Sequence, residues 1–350
     1  MYQGKVSIQD LAIEVQRQHE QRLDLKAGTK QMTMRDGNTL VIGNHPDHVF
    51  GINDVAHRQI SQHYHIPAEF YDRLKIGTPQ LLDGLVNGLG GIEESRRLVR
   101  TLDGRVRAFL SDRYRVIDNH DVLEGVLPAL IELGDEWEIN SCEVTERKLY
   151  LKITFPSLQR EVKLDDVVQF GLIISNSEVG MGSVHVAPFC LRLACTNGMT
   201  INQLAKRRNH IGRKTQESVE DTTYYSDDTL KADDAAFILK LRDSIRGLLQ
   251  ESVIAAQVER FQLAAAEEVE APPMQAVEVL SKVSRLSMGE ERSVLNHLVR
   301  GGDLSVWGYA NAVTRTAQDA GTYDRASELE ELGGQVVNWS AKHFNPRSGG

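Results

Sequence analysis

The hydrophobic pattern changes period once along the chain, and that change constrains the fold more than any other feature. Up to about residue 205, short apolar runs alternate with polar residues and are punctuated by Asp-Gly turns and prolines. From residue 230 to about 344 the apolar residues recur every three or four positions instead, with one break at Pro272-Pro273. Strand patterns cluster rather than alternating strictly with helices, which predicts an α+β fold over a doubly wound parallel sheet. The expected organisation is an N-terminal mixed α+β domain over 1–205 with antiparallel β-hairpins and packed helices, a connector at 206–229, and an α-helical region at 230–345.

Local signals fill in this frame. Residues 7–24 read as a helix capped by Ser7, with Leu11, Val15 and Leu23 near helical spacing. Residues 31–43 read as a hairpin around Asp36-Gly37-Asn38, because Asp-Gly supplies the positive φ angles a tight turn needs. Two or three short helices are expected over 53–89, broken at Pro67, Gly77 and Pro79. An amphipathic helix follows at 121–133, then two strands in 137–155 around Glu146-Arg147, and strand runs at 167–175 and 182–195.

The hairpin at 96–116, turning on Asp103-Gly104, is the most informative segment. A two-residue turn would set Leu102 opposite Arg105, Arg100 opposite Arg107, Leu98 opposite Phe109 and Arg96 opposite Ser111. With period two, and with the strand continuing to Arg113 and Arg115, one face would gather six arginines around Phe109. Val99, Thr101, Val106, Ala108 and Leu110 would form the core side, with Arg97 as its exception. Like charges opposed across strands destabilise a sheet, so this face needs either carboxylate partners from neighbouring helices or an anionic ligand. Guanidinium groups beside an aromatic ring suit a single strand of nucleic acid, one holding phosphates and the other stacking a base.

Charge distribution points to a second basic element. The formal net charge is −9, yet residues 1–214 balance 27 Lys+Arg against 27 Asp+Glu, and residues 215–350 hold 13 against 22. The connector begins with Lys206, Arg207 and Arg208 and continues to Arg213 and Lys214, with no acid among its first nine residues. Such a run attracts phosphate by counterion release, or neutralises the acidic stretch that follows it at 217–228.

Several other constellations read as structural. Residues 176–184 (NSEVGMGSV) are glycine-rich but lack the Gly-Lys-Ser/Thr ending of a phosphate loop and a following helix, so a turn is expected. His57, His63 and His65 lack the spacing and partners of a metal site, and Asp165 and Asp166 would point to opposite sides of a strand. Cys190 and Cys195 lie five apart in a strand-like run, on opposite faces, and with Cys142 read as reduced structural cysteines. No nucleophile elbow or assigned Cys-His pair is present, so no catalytic residue, metal or cofactor is expected. With no apolar leader or membrane-length apolar run, the chain reads as cytoplasmic and free of membranes.

Residues 104–119 (GRVRAFLSDRYRVIDN), 168–199 (VQFGLIISNSEVGMGSVHVAPFCLRLACTNGM) and 307–316 (WGYANAVTRT) resemble the phage and plasmid-like family called domain of unknown function 932. Arg192, Cys195 and Asn197 match that family's pattern. The resemblance implies a bacterial-host setting and assigns no catalytic residue. A weaker, fold-level similarity links the basic hairpin and helices to phage single-strand annealing proteins, which work as rings or filaments. The expectation is a single-stranded DNA-binding or annealing protein of recombination or repair, acting as a homo-oligomer. The alternative is a phage or plasmid interaction protein that counters a host defence system.

Overall fold

The structure is a computed structural model that describes residues 7–134, 137–201 and 227–345, with 206–208 described by their backbone. Helix α1 (Ile8–Gln21) starts where expected, because Ser7 Oγ accepts the Asp10 N–H, and it buries Leu11 and Val15. Arg22 leaves helical backbone, so Leu23 opens strand β1 (Leu23–Gly28) rather than extending the helix. Strands β2 (Met32–Arg35) and β3 (Thr39–Ile42) form the first hairpin, with positive φ at both Asp36 and Gly37. After β4 (Val49–Ile52) come α2 (Asp54–His63), α3 (Ala68–Gly77) and α4 (Pro79–Ile92). Pro67 precedes α3, and Pro79 sits in the first turn of α4, where its missing N–H has no intrahelical role.

Strands β5 (Arg96–Leu102) and β6 (Arg105–Ser111) complete a six-stranded sheet in the order β1-β5-β6-β4-β3-β2. Pairing is antiparallel throughout except between β4 and β6. Helices α2–α4 cover one face, burying Ile60, Tyr71 and Leu82 against Val99, Val106 and Phe109.

The second sheet follows α5 (Asn119–Glu132). It contains β7 (Glu138–Val144), β8 (Leu149–Lys163), β9 (Asp166–Asn176), β10 (Val184–Arg192), β11 (Asn197–Thr200) and β12 (Lys206–Arg208). The order is β11-β10-β9-β8-β7, and β12 also pairs with β10. Strand β8 runs on past Phe155, and its ladder with β9 is interrupted between Thr154 and Gln159, which accommodates Pro156. The chain turns at 193–196, so Cys195 lies outside β10 and the alternation argument for the cysteine pair does not apply to it.

Helices cover both faces of this sheet. On one face, α1, α5 and α6 (Asp227–Leu248) pack Leu11, Val126 and Ile245 against Leu151 and Ile174. Helices α7 (Glu251–Ala266), α8 (Pro273–Ser284), α9 (Met288–Gly301), α10 (Val306–Thr316) and α11 (Tyr323–Val336) follow, and on the other face Tyr323 of α11 packs against Tyr150, Ile173, Ala187 and Phe189. Phe261, Trp307 and Tyr309 share a further cluster with Phe170, Cys190 and Met199. Burial on both sides explains why β9 reads as an unbroken apolar run rather than an alternating one. The architecture is α+β, and among the described residues no helix is long and apolar enough to cross a membrane.

Candidate functional site

The second hairpin begins in the expected register. Asp103 and Gly104 both take positive φ, Leu102 pairs with Arg105, and Thr101 pairs with Val106. The register then shifts by one, leaving Arg107 as the extra residue of a β-bulge. Beyond it Arg100 faces Ala108, Val99 faces Phe109, Leu98 faces Leu110 and Arg97 faces Ser111. The expected face of arginines around Phe109 is therefore not formed. One inserted residue moves everything after it to the opposite side of the sheet. Phe109 is 3% exposed, packed against Ile60, Tyr64 and Val86 with the Arg97 guanidinium 4.9 Å from its ring centre. It offers no surface on which a base could stack.

Arg100 and Arg107 stay on the other face, and both are buried. Arg100 donates from Nε to Asp24 at 2.9 Å, from Nη2 to Asp118 at 2.6 Å, and from Nη1 to the Glu178 carbonyl at 3.0 Å. Arg107 Nη1 donates to Glu178 Oε2 at 2.5 Å, and the other oxygen of Glu178 accepts the Asn119 N–H at 2.6 Å. Arg22 adds a second cation to Asp118 at 2.9 Å. Burial alone would push the Asp118 carboxyl up, but the charge and hydrogen bond of Arg100 outweigh it and hold the group below its ordinary range. The like charges of the hairpin are thus balanced by carboxylates from the start of β1, the N-cap of α5 and the loop between β9 and β10.

The remaining arginines of the hairpin are dispersed. Arg105 is exposed at the turn, while Arg96 and Arg113 are exposed towards the open end of the hairpin. Arg115 binds Asp233 of α6 at 2.7 Å. In the connector, Lys206, Arg207 and Arg208 pair antiparallel with Val186, His185 and Val184 of β10. Arg213 and Lys214 lie outside the described residues.

Residues 176–181 form the expected turn, yet their side chains have a role that sequence reasoning missed. Asn176, Ser177, Glu178 and Val179 are all buried, and Glu178 joins the two sheets through Arg107. One signal could have exposed it: Glu178 is the sole acid between Asp166 and Glu217. Two clefts flank the β7–β8 turn and share Val144, Thr145 and Glu146 as lining. One, of about 510 Å³, is bounded by Asp54, Arg58, Arg147, Met181 and Asp324. The other, of about 400 Å³, is bounded by Glu14, Arg17, Asp103, Arg105 and Arg107.

The histidines do not converge. His57 is held between Tyr71 Oη at 2.9 Å and Asn38 Oδ1 at 3.0 Å, and burial lowers its pKa to about 4. His63 meets Ser95 at 3.1 Å instead, and His65 is exposed in a turn. Asp165 is exposed with positive φ, whereas Asp166 is buried and chelated by Arg192 at 2.6 and 2.9 Å. Trp307 Nε1 of α10 donates to the same carboxylate at 2.9 Å. Beside it Asn197 Nδ2 donates to Asn311 Oδ1 at 3.1 Å and to Thr314, and Arg192 Nη1 lies 3.7 Å from Cys195 Sγ. The residues on which the resemblance rests therefore fasten α10 to the second sheet.

Residues 107–331 match the family described as Domain of unknown function (DUF932). The chain belongs to that family. Its DUF932 span opens at the bulge residue Arg107 and takes in Asp118, Glu178, Arg192, Asn197 and Trp307. Asp24, Arg100 and all strands of the first sheet before β6 precede the DUF932 match. No curated protein and no solved structure matches the chain.

Proposed function

We propose that this DUF932 protein binds single-stranded nucleic acid, in a strand-annealing or repair step of phage or plasmid recombination. It does so as a homo-oligomer in the cytoplasm of a bacterial host. One observation carries the reading: the basic run Lys206-Arg207-Arg208 lies on the sheet as β12, paired with β10 at Val184–Val186. The register sets Arg208 opposite Val184, three residues after Met181, which lines the larger cleft together with the exposed Arg58 and Arg147. A run of basic residues binds phosphates by releasing counterions, without reading sequence. Phe109 takes no part, so stacking is not the source of affinity at the hairpin.

The test is anisotropy of a labelled oligothymidine with the full chain over a series of salt concentrations. Affinity should fall steeply with salt, each phosphate contact contributing a slope of about 0.7. Changing Lys206, Arg207 and Arg208 together to Gln should flatten that slope by about 2 for three contacts. No binding at low salt, or a folded triple variant with the parental slope, overturns the reading.

A further inference from the structure

Three arginines each clasp a single carboxylate with the Nε–Nη2 edge of the guanidinium. Arg17 clasps Glu14 with Nε and Nη2, both at 2.9 Å. Arg192 does the same to Asp166 at 2.6 and 2.9 Å, and Arg325 to Glu290 at 2.6 and 3.0 Å. That edge presents two parallel N–H donors whose spacing fits the two oxygens of a carboxylate or phosphate.

Arg107 departs from this pattern. Its Nη1 holds Glu178, while its Nε and Nη2 are buried and have no partner among the described residues. The residue is only 7% exposed, so these donors are not hydrated at a surface. Leaving two such donors unpaired is costly, and a matching oxyanion removes that cost. Arg107 lines the 400 Å³ cleft, whose rim carries the exposed Arg105 and whose lining includes the buried Asn53, the N-cap of α2. A helix start adds partial positive charge at that rim. Of the acids in the lining, Glu14 and Asp103 are both bound by Arg17, and Glu146 is exposed on the β7–β8 turn.

We propose that this cleft is a phosphoryl-binding site, with the Nε–Nη2 edge of Arg107 clasping two phosphate oxygens and Arg105 adding a third contact. The cleft falls in the lower range of small-molecule sites, enough for a nucleotide unit rather than a bare ion. The phosphate is either that of a free nucleotide or the terminal phosphate of a strand. The inference stands on Arg107 and does not depend on strand binding at β12.

Calorimetric titration of the full chain tests it with inorganic phosphate, a nucleoside monophosphate and the matching nucleoside. The monophosphate should bind and the nucleoside should not. Arg107→Lys keeps a cation opposite Glu178 but loses the two-donor edge, and should weaken the monophosphate at least about tenfold. Arg105→Gln, at an exposed position, should weaken it by a smaller factor with an unchanged melting temperature. Stronger binding of a 5′-phosphorylated oligonucleotide than of its unphosphorylated twin, lost in Arg107→Lys, identifies the strand end as the source. Equal binding of the two strands, with the monophosphate still bound, identifies a free nucleotide. The β12 triple variant should keep monophosphate binding even where it loses oligonucleotide, which separates this site from the strand-binding proposal. Failure of the folded protein to bind phosphate or monophosphate overturns the site, as does an Arg107→Lys variant that melts and binds like the parent.

Discussion

Arg107 and Glu178 stand 71 residues apart in the chain and meet at 2.5 Å, joining the bulge of the first sheet to the β9–β10 loop of the second. Both side chains are at least nine-tenths buried, so the pair works in a medium where an uncompensated charge is costly. Arg100 reinforces the junction through the Glu178 carbonyl and Asp118. These ions work beside a small apolar cluster in which Leu98, Ala108 and Leu110 pack against Val179.

Glu178→Ala should destabilise the protein by about 3–5 kcal/mol, the usual cost of stripping one partner from a buried pair. Replacing Arg107 and Glu178 together with Met should recover part of that loss, because no buried charge is then left alone. Urea unfolding of the three variants checks this. A loss below about 0.5 kcal/mol for Glu178→Ala would show that the junction does not depend on it.

Phe109→Ala should cost about 3–5 kcal/mol by opening a cavity beneath α2 and α4. The folded fraction should bind nucleic acid with the parental affinity and salt slope. A folded variant with parental stability and weakened oligonucleotide binding would return Phe109 to the surface and contradict the bulged register.

Stability should fall on the acid side through His57. Its folded pKa is about 4 against an ordinary 6.5, chiefly because burial disfavours the cation, with Lys75 adding to the effect. The unfolded chain therefore binds the extra proton first. The contribution is intact above about pH 6.5 and is lost progressively as pH falls towards 4, at up to about 1.4 kcal/mol per pH unit. His57→Gln should flatten that limb in denaturant titrations across the same range. An unchanged limb would assign the acid sensitivity to other groups.

Gly334→Ala should loosen α11 from the second sheet. A methyl at Gly334 would lie 1.9 Å from the Thr200 carbonyl oxygen, a backbone atom that cannot swing aside. The expected loss is about 1–3 kcal/mol or more, with amide exchange accelerating first in β11 and α11. The neutral outcome, parental melting and exchange, would mean that the two elements separate without penalty.

What the sequence determined by itself lies within a few residues of each signal. Ser7 caps α1, Asp36-Gly37 and Asp103-Gly104 turn their hairpins, and Pro67 and Pro79 divide three helices. The change from strand-rich to helix-rich pattern correctly indicated an α+β architecture. These features follow from dihedral preference and local hydrogen bonding, which near neighbours decide. The tertiary structure alone decided the bulge at Arg107, and with it the fate of every residue to Ser111. A hairpin turn sets the register only for the pairs beside it. Beyond them the choice depends on which side chains the helices bury, here Phe109 under α2 and α4. The carboxylates that neutralise Arg100 and Arg107 come from Asp24, Asp118 and Glu178, as far as 76 residues away. An arginine row in sequence looks the same whether it faces solvent, a ligand or buried acids. Only the packed chain brings the counter-charges within reach, because Coulomb attraction depends on distance through space and not along the chain.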